Sequence, residues 1–205
     1  MLGRESCQEG HSRMPVQIGA VAHNFSDPTG LLSDCHRRIE MFLGSLGAVA
    51  RAMDCPLTDE TRRALDAALR YFREAAPKHT ADEEESLFPR LRQVSNPEVQ
   101  SALNSLEALE NDHRWAASLH ARVESLGQKY LFSGSLPSAE AEEFRTAVAS
   151  LTAMYQQHIR MEDDVVFPAA ARCLSSTERA AVADEMAARR KARLITEIPH
   201  LRERS

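Results

Sequence analysis

Residues 79–89 read His79-Thr-Ala-Asp-Glu83-Glu-Glu-Ser-Leu-Phe88-Pro89, and residues 158–168 read His158-Ile-Arg-Met-Glu162-Asp-Asp-Val-Val-Phe167-Pro168. Both carry the pattern HxxxExxxxFP although they lie far apart in the chain, which marks an internal duplication of a site. On an α-helix a spacing of four turns the second residue by only about 40° and raises it by about 6 Å. The imidazole and the carboxylate of each segment therefore project from one helix face.

The surrounding sequence puts both faces inward. Leu65, Leu69, Phe72 and Ala76 form a helical stripe that runs on to His79, Glu83 and Leu87. Thr58-Asp59-Glu60-Thr61 supplies its N-cap and early negative charge, and Pro77 predicts a kink within it. Phe144, Val148, Leu151, Tyr155, His158, Glu162 and Val165 keep the same three-four rhythm after the loop Ser133-Gly134-Ser135-Leu136-Pro137-Ser138. Two more helices follow from the same periodicity. One opens at Asp27-Pro28-Thr29, carries Leu32, Cys35, Ile39, Phe42, Leu46, Val49 and Met53, and places His36 inward. The other runs through Leu103, Leu106, Leu109 or Glu110, His113, Ala116 or Ala117, His120 and Val123, places His113 inward and ends near Gly127. Pro89 and Pro168 read as helix breaks. Ser175-Ser176-Thr177-Glu178 opens a short fifth helix ending in Arg189-Arg190-Lys191, which packs outside the bundle. The fold class is all-α, a four-helix bundle with a short additional C-terminal helix, preceded by an N-terminal arm over residues 1–26.

Composition agrees with helix and narrows the function classes. Aromatic residues make up 5% and there are only 8 Gly in 205 residues, which argues against a β-rich architecture. Thirty Asp+Glu against 25 Lys+Arg give a net charge of -5 without a dense basic stripe, so no nucleic-acid partner is expected. Cys7, Cys35, Cys55 and Cys173 are scattered without a CxxC pair and read as reduced thiols. The first residues lack the uninterrupted apolar run of a secretory leader, and no stretch suits a membrane span. The expectation is a cytoplasmic protein with no membrane contact.

One inward histidine is usually a hydrogen-bonded core residue. Here four, His36, His79, His113 and His158, converge with Glu83 and Glu162 at one level of the core. Two buried glutamates need cations, and the interior residues of this chain do not supply enough. A bound metal removes the difficulty. Imidazole and carboxylate without thiolate suit iron, manganese or zinc, and a two-metal cluster accounts for the recurrence of the glutamate.

His36, His79-x3-Glu83, His113 and His158-x3-Glu162, in that order on four successive helices, closely resemble the hemerythrin-like HHE cation-binding family. The resemblance covers about residues 28–172, within a bundle domain bounded as 27–173 and followed by a C-terminal helix and tail over 174–205. It implies an up-down-up-down bundle holding two iron ions, bridged by Glu83, Glu162 and an oxo or hydroxo group, with zinc or manganese as substitutes. By helix order it assigns His36 and His79 to one iron, and His113 and His158 to the other. The function it implies is to bind or sense O2, NO or oxidants such as peroxide. An enzyme that removes peroxide or reduces nitric oxide is the alternative, and a structural metal site is another; no protein partner is named.

The family's oxygen carriers place a second histidine one turn after the third-helix ligand, where this chain has Ala117. The resemblance then leaves an open position on each metal and favours sensing or reaction over carriage. Ala117 is expected to face the cluster. Glu40 reads as a surface or supporting residue, Tyr155 as a neighbour of the cluster, and His120 as core or channel lining too distant to join it. Asp82 to Glu85 reads as a solvated face with Glu83 as its one inward member. Glu110-x2-His113 matches the ExxH of ferritin-like proteins, but the fourth helix offers Tyr155 in place of the partner carboxylate.

Overall fold

Asp27 starts the first helix by accepting a hydrogen bond from the Gly30 amide at 3.0 Å, and α1 then spans Pro28–Ala52. This is a computed structural model, and it describes residues 26–196; the expected N-terminal arm, apart from Ser26, and the last residues of the tail lie outside them. Thr58 caps α2, Asp59–Glu74, through the Thr61 amide at 3.1 Å. A break at Ala75 precedes α3, Ala76–Ala81, so the expected kink is present, with Pro77 in the first turn, where a missing N–H is harmless. A π-helical turn, Asp82–Leu87, leads into α4, Phe88–Leu91. After a short 3-10 turn at Pro97–Val99 comes α5, Gln100–Ser133, closed by Gly134 at φ 76°, whose amide donates to Tyr130 O at 2.8 Å. The last elements are α6 (Ser138–Met161), a second π turn (Glu162–Val166), α7 (Phe167–Cys173) and α8 (Ser176–Thr196). All regular structure among the described residues is helical.

Three expectations need correction. Pro89 and Pro168 do not break their helices. A proline clashes with the carbonyl four residues back and cannot donate to it. The chain answers by widening: the Phe88 amide donates to Glu83 O and the Phe167 amide to Glu162 O, each five residues back. The helix then passes through each proline to Leu91 and Cys173. The wider second turn also shifts the inward stripe, so that Val166 is buried where Val165 was expected. Gly127 does not end α5, which continues through Ser133. It is instead a contact point, because a Cβ there would lie 2.8 Å from Leu69 Cδ1. The C-terminal helix, finally, is 21 residues long, not short.

α1 packs against α2 and α6, and α5 packs against the same two, which closes a helical bundle. Its apolar interior is in two clusters. One contains Ile39, Phe72, Ala76, Ala116, Tyr155 and Ile159; the other contains Leu32, Leu87, Leu109, Val166 and Phe167. On each rod the boundary between them falls at a histidine or glutamate of the convergent set. His36 lies between Leu32 and Ile39, His113 between Leu109 and Ala116, Glu83 between Ala76 and Leu87, and Glu162 between Ile159 and Val166.

α8 lies against α1 and the first π turn. Asp82, fully buried, accepts from Arg189 Nη1 at 3.0 Å and Arg190 Nη2 at 2.7 Å, both from α8. Arg90 makes a two-pronged pair with Glu185 at 2.7 and 3.1 Å. Asp82 is thus a second inward member of the acidic run, satisfied by the helix beside it. Cys35 and Cys173 are free thiols, whereas Cys55 is disulfide-bonded, a departure from the expectation of four reduced cysteines. Among the described residues, no helix is long and apolar enough to cross a membrane.

Gly127→Ala weighs two opposing effects. Helix propensity favours Ala by about 1 kcal/mol, and overpacking a fixed core typically costs about 1–3 kcal/mol. Leu69, only 2% exposed, has little room to yield. Urea unfolding is expected to show the variant less stable by about 1 kcal/mol; a stabilised variant would show that Leu69 repacks freely.

Candidate metal centre

Each HxxxE pair lies across the start of a widened turn. His79 lies in the last turn of an α-helical stretch and Glu83 sits in the π turn after it; His158 and Glu162 repeat this on the other rod. His36 and His113 come from the middle of long uninterrupted helices. The six side chains are all buried, from 0% exposed for His36, Glu83 and Glu162 to 9% for His113.

The structure brings all six together. Their ligand atoms form two sets, His36, His79, Glu83 and Glu162 in one and Glu83, His113, His158 and Glu162 in the other, with the atoms of each set within 4.8 Å of one another. Both glutamates belong to both sets. His36 Nε2 lies 3.1 Å from Glu162 Oε2, His79 Nε2 3.1 Å from Glu83 Oε1, and His158 Nε2 3.2 Å from Glu162 Oε2. His113 Nε2 is 3.5 Å from Glu83 Oε2 and 3.0 Å from His158 Nε2.

The outer ring nitrogens settle which way the lone pairs face. His36 Nδ1 donates to Asp163 Oδ1 at 3.0 Å, His113 Nδ1 to Glu84 Oε1 at 2.7 Å, and His158 Nδ1 to Asp112 Oδ2 at 3.3 Å. A carboxylate accepts only, so each of these nitrogens carries a proton, and in the neutral ring, the form that binds a metal, each Nε2 turns a lone pair into the cluster. Two such lone pairs, on His113 and His158, then face each other at 3.0 Å. A proton shared from His158, or a metal cation between the two, resolves the repulsion. Ligands about 2.1 Å from one ion and at right angles to it are about 3.0 Å apart, which is the spacing found here. In addition, His36 Nε2 and both oxygens of Glu83 and of Glu162 are buried without a hydrogen-bond partner. Close approach without hydrogen-bond alignment means that these atoms point at shared space. The donor set fits a bound metal.

Without a bound cation, protons carry the balancing charge. Burial opposes it, but Asp163, Glu162 and Glu83 raise the His36 ring to about 11, and Glu162 raises His158 in the same way, so that a metal would replace those protons. Burial and the neighbouring Glu162 raise the Glu83 carboxyl. Burial also opposes ionisation of Glu162, but His158 and His36 outweigh it and hold that carboxyl below the usual range. Burial and the neighbouring His36 lower His79, which keeps it neutral and suited to a metal.

Three supporting carboxylates escaped the sequence reading, and the duplication contained a signal for two of them. The residue after each shared glutamate is itself acidic, Glu84 and Asp163, and each reaches across to a histidine on a neighbouring helix. Asp163 also accepts from Ser33 Oγ at 2.7 Å and Arg37 Nη2 at 3.0 Å. The third, Asp112, directly precedes His113 yet serves His158. Of the acidic run only Glu85 is exposed, so that face is not mainly solvated.

Ala117 does not face the cluster. It is exposed, and Ala116 is the inward member of that turn. His113, at 9%, already lies at the rim of the buried arc, so a further 40° of turn leads out of the bundle. Glu40 is exposed and pairs with Arg37, and Glu110 pairs with Arg92. Tyr155 OH bonds His120 Nε2 at 3.1 Å, with the Tyr155 ring 6.1 Å from that of His158. His120 stacks on Phe72, and burial lowers it to about 4.

Residues 27–170 match the family described as the hemerythrin HHE cation binding domain. The chain belongs to that family. It is also similar to an uncharacterized protein of Haemophilus influenzae, 26% identical over 169 residues, which cover 82% of this chain and 92% of that one. Placed in the family, the buried His and Glu cluster is its candidate cation site.

Two outcomes test this geometry. Asp163→Ala frees the His36 ring and is expected to weaken metal affinity roughly 10–100-fold in competition with a chelator; an unchanged affinity would show that Asp163 serves only Ser33 and Arg37. Ala117→His is expected to leave the metal-loaded optical spectrum and the rates of reaction with NO and peroxide as they are. A new ligand signature in that variant would mean that residue 117 turns inward.

Proposed function

We propose that the chain is a non-haem di-iron protein that binds or senses O2, NO or oxidants, within an up-down-up-down four-helix bundle. One observation carries the reading: two sets of four candidate ligands share both glutamates and contain no thiolate. Nitrogen and carboxylate donors of this kind suit iron, with manganese or zinc as substitutes. Family membership supports the iron pair and its oxo or hydroxo bridge.

His36 and His79 would hold one iron, His113 and His158 the other, and Glu83 and Glu162 both. Four protein groups per ion are fewer than an octahedral ion takes, so a small molecule has a place to bind. The iron pair would supply reversible redox change and affinity for small diatomic molecules. The protein's own residues orient the imidazoles through Asp163, Glu84 and Asp112, and exclude bulk water through the two apolar clusters. Phe167 of the second duplicated segment stacks on His36, with ring centres 5.3 Å apart, and helps to cover it.

A cavity of about 720 Å³ between α1 and α6 is walled by Gly44, Gly47, Ala149 and Ala153 and reaches Tyr155. Tyr155 is the wall nearest the cluster, its ring 6.1 Å from that of His158.

Metal analysis with optical spectra through reduction and re-exposure to air tests the proposal. The expected result is two irons per chain, a reversible spectral change, and at most one retained metal in Glu162→Ala, because a shared carboxylate holds the pair together. Full two-metal content in that variant would exclude sharing, and zinc without charge-transfer bands would exclude iron. Steady-state consumption of peroxide or NO with a reductant would establish the enzyme instead.

A further inference from the structure

His79 is the exception among the four histidines. The other three turn their outer nitrogen to a carboxylate, whereas His79 Nδ1 is buried with no hydrogen-bond partner. A buried ring N–H left unpaired costs roughly 1–3 kcal/mol, so the arrangement is incomplete as it stands.

The surroundings of His79 indicate what would complete it. The residue is 5% exposed, and it lines a cavity of about 360 Å³. Arg38, Arg70, Lys78 and Arg190 line the same cavity, with Glu74 as its acidic member. Arg190 is engaged by Asp82 at 2.7 Å. Arg38, Arg70 and Lys78 have no ion pair among the described residues. An orphan donor beneath three unpaired cations is a complement to negative charge. Nδ1 itself lies under the cavity wall, and the long side chains of Arg38, exposed, and Lys78, half-buried, can part to admit a small ligand.

We propose that this cavity binds a small carboxylate or oxyanion that accepts the Nδ1–H of His79, in the position that Asp163, Glu84 and Asp112 hold at the other three histidines. In the metal-free ring an anion at Nδ1 selects the tautomer that carries its proton there, and a metal at Nε2 would fix the same tautomer, the one respect in which the proposal rests on the di-iron reading. The ligand is small because the cavity is, and because its acceptor must reach a covered nitrogen. Binding it orients the His79 ring and raises its basicity, as the built-in carboxylates do elsewhere in the cluster. The occupancy of a surface cavity then tunes one half of the metal site.

The test titrates acetate, and separately inorganic phosphate, into the protein as purified and after chelation. Histidine-ring NMR of the metal-free protein and calorimetry of both forms follow binding, with chloride at matched ionic strength as the reference. Saturable acetate binding that shifts the His79 ring is expected, and Arg38→Gln with Lys78→Gln should weaken it at least ten-fold without changing metal content. Chloride reproducing the acetate response, or the double variant binding equally well, would overturn the proposal. Acetate binding that depends on Arg38 and Lys78 in a protein that takes up no metal would sink the di-iron reading while leaving this site in place.

Discussion

Glu83 and Glu162 are the constraint on which the rest depends: two carboxylates, neither with any exposed surface, side by side in a helical core. Desolvating a carboxylate costs several kcal/mol even after relaxation. Three arginines lie close by, yet none is directed at these two groups. Arg189 and Arg190 pair with Asp82, and Arg37 pairs with Asp163. Only imidazoles face Glu83 and Glu162, and three of the four have their outer proton committed to other carboxylates. The positive charge that balances the pair comes either from protons held on His36 and His158 or from a bound cation that takes their place. This is why the apolar interior divides into two clusters with a polar layer between them.

Much of this was legible in the sequence because both periodicities involved are local. A stripe at three-four spacing identifies a helix and its inward face, and the caps at Asp27, Thr58 and Ser175 appear where their residue types predict them. The repeated HxxxE then locates the polar layer. What remained hidden depends on which edge of a helix face meets its neighbour. Periodicity places His113 inward but does not say that it stands at the rim, and the choice between Ala116 and Ala117 depends on that. Gly127 looked like a helix end because glycine ends helices often. Its actual role, admitting Leu69, depends on a residue in another helix.

The two prolines show a local rule yielding to a site. Pro89 and Pro168 each follow a shared glutamate by six positions, and both sit just beyond a π turn. The wider turn keeps the rod continuous past the proline and places a carboxylate and its acidic successor so that both are used. Glu83 faces the cluster while Glu84 reaches His113; Glu162 faces the cluster while Asp163 reaches His36. The motif is therefore better read as HxxxE followed by an acid and closed by FP, a unit that contributes two candidate ligands and one support for the opposite helix.

Duplication makes the ligands alike but leaves their surroundings different. The His113 and His158 set has two supporting carboxylates, Glu84 and Asp112, and lies beside the bonded Tyr155 and His120. The His36 and His79 set has one, Asp163, and borders a cavity walled by cations. A carboxylate on the outer nitrogen makes an imidazole a stronger donor. Two ions held in these sets would thus differ in the electron density they receive, although each has two imidazoles and the same two glutamates. An ion served by His113 and His158 would be better stabilised in a higher charge state, and one served by His36 and His79 would receive less support from the chain itself. A symmetric motif in the sequence becomes, through its neighbours, an unsymmetric pair.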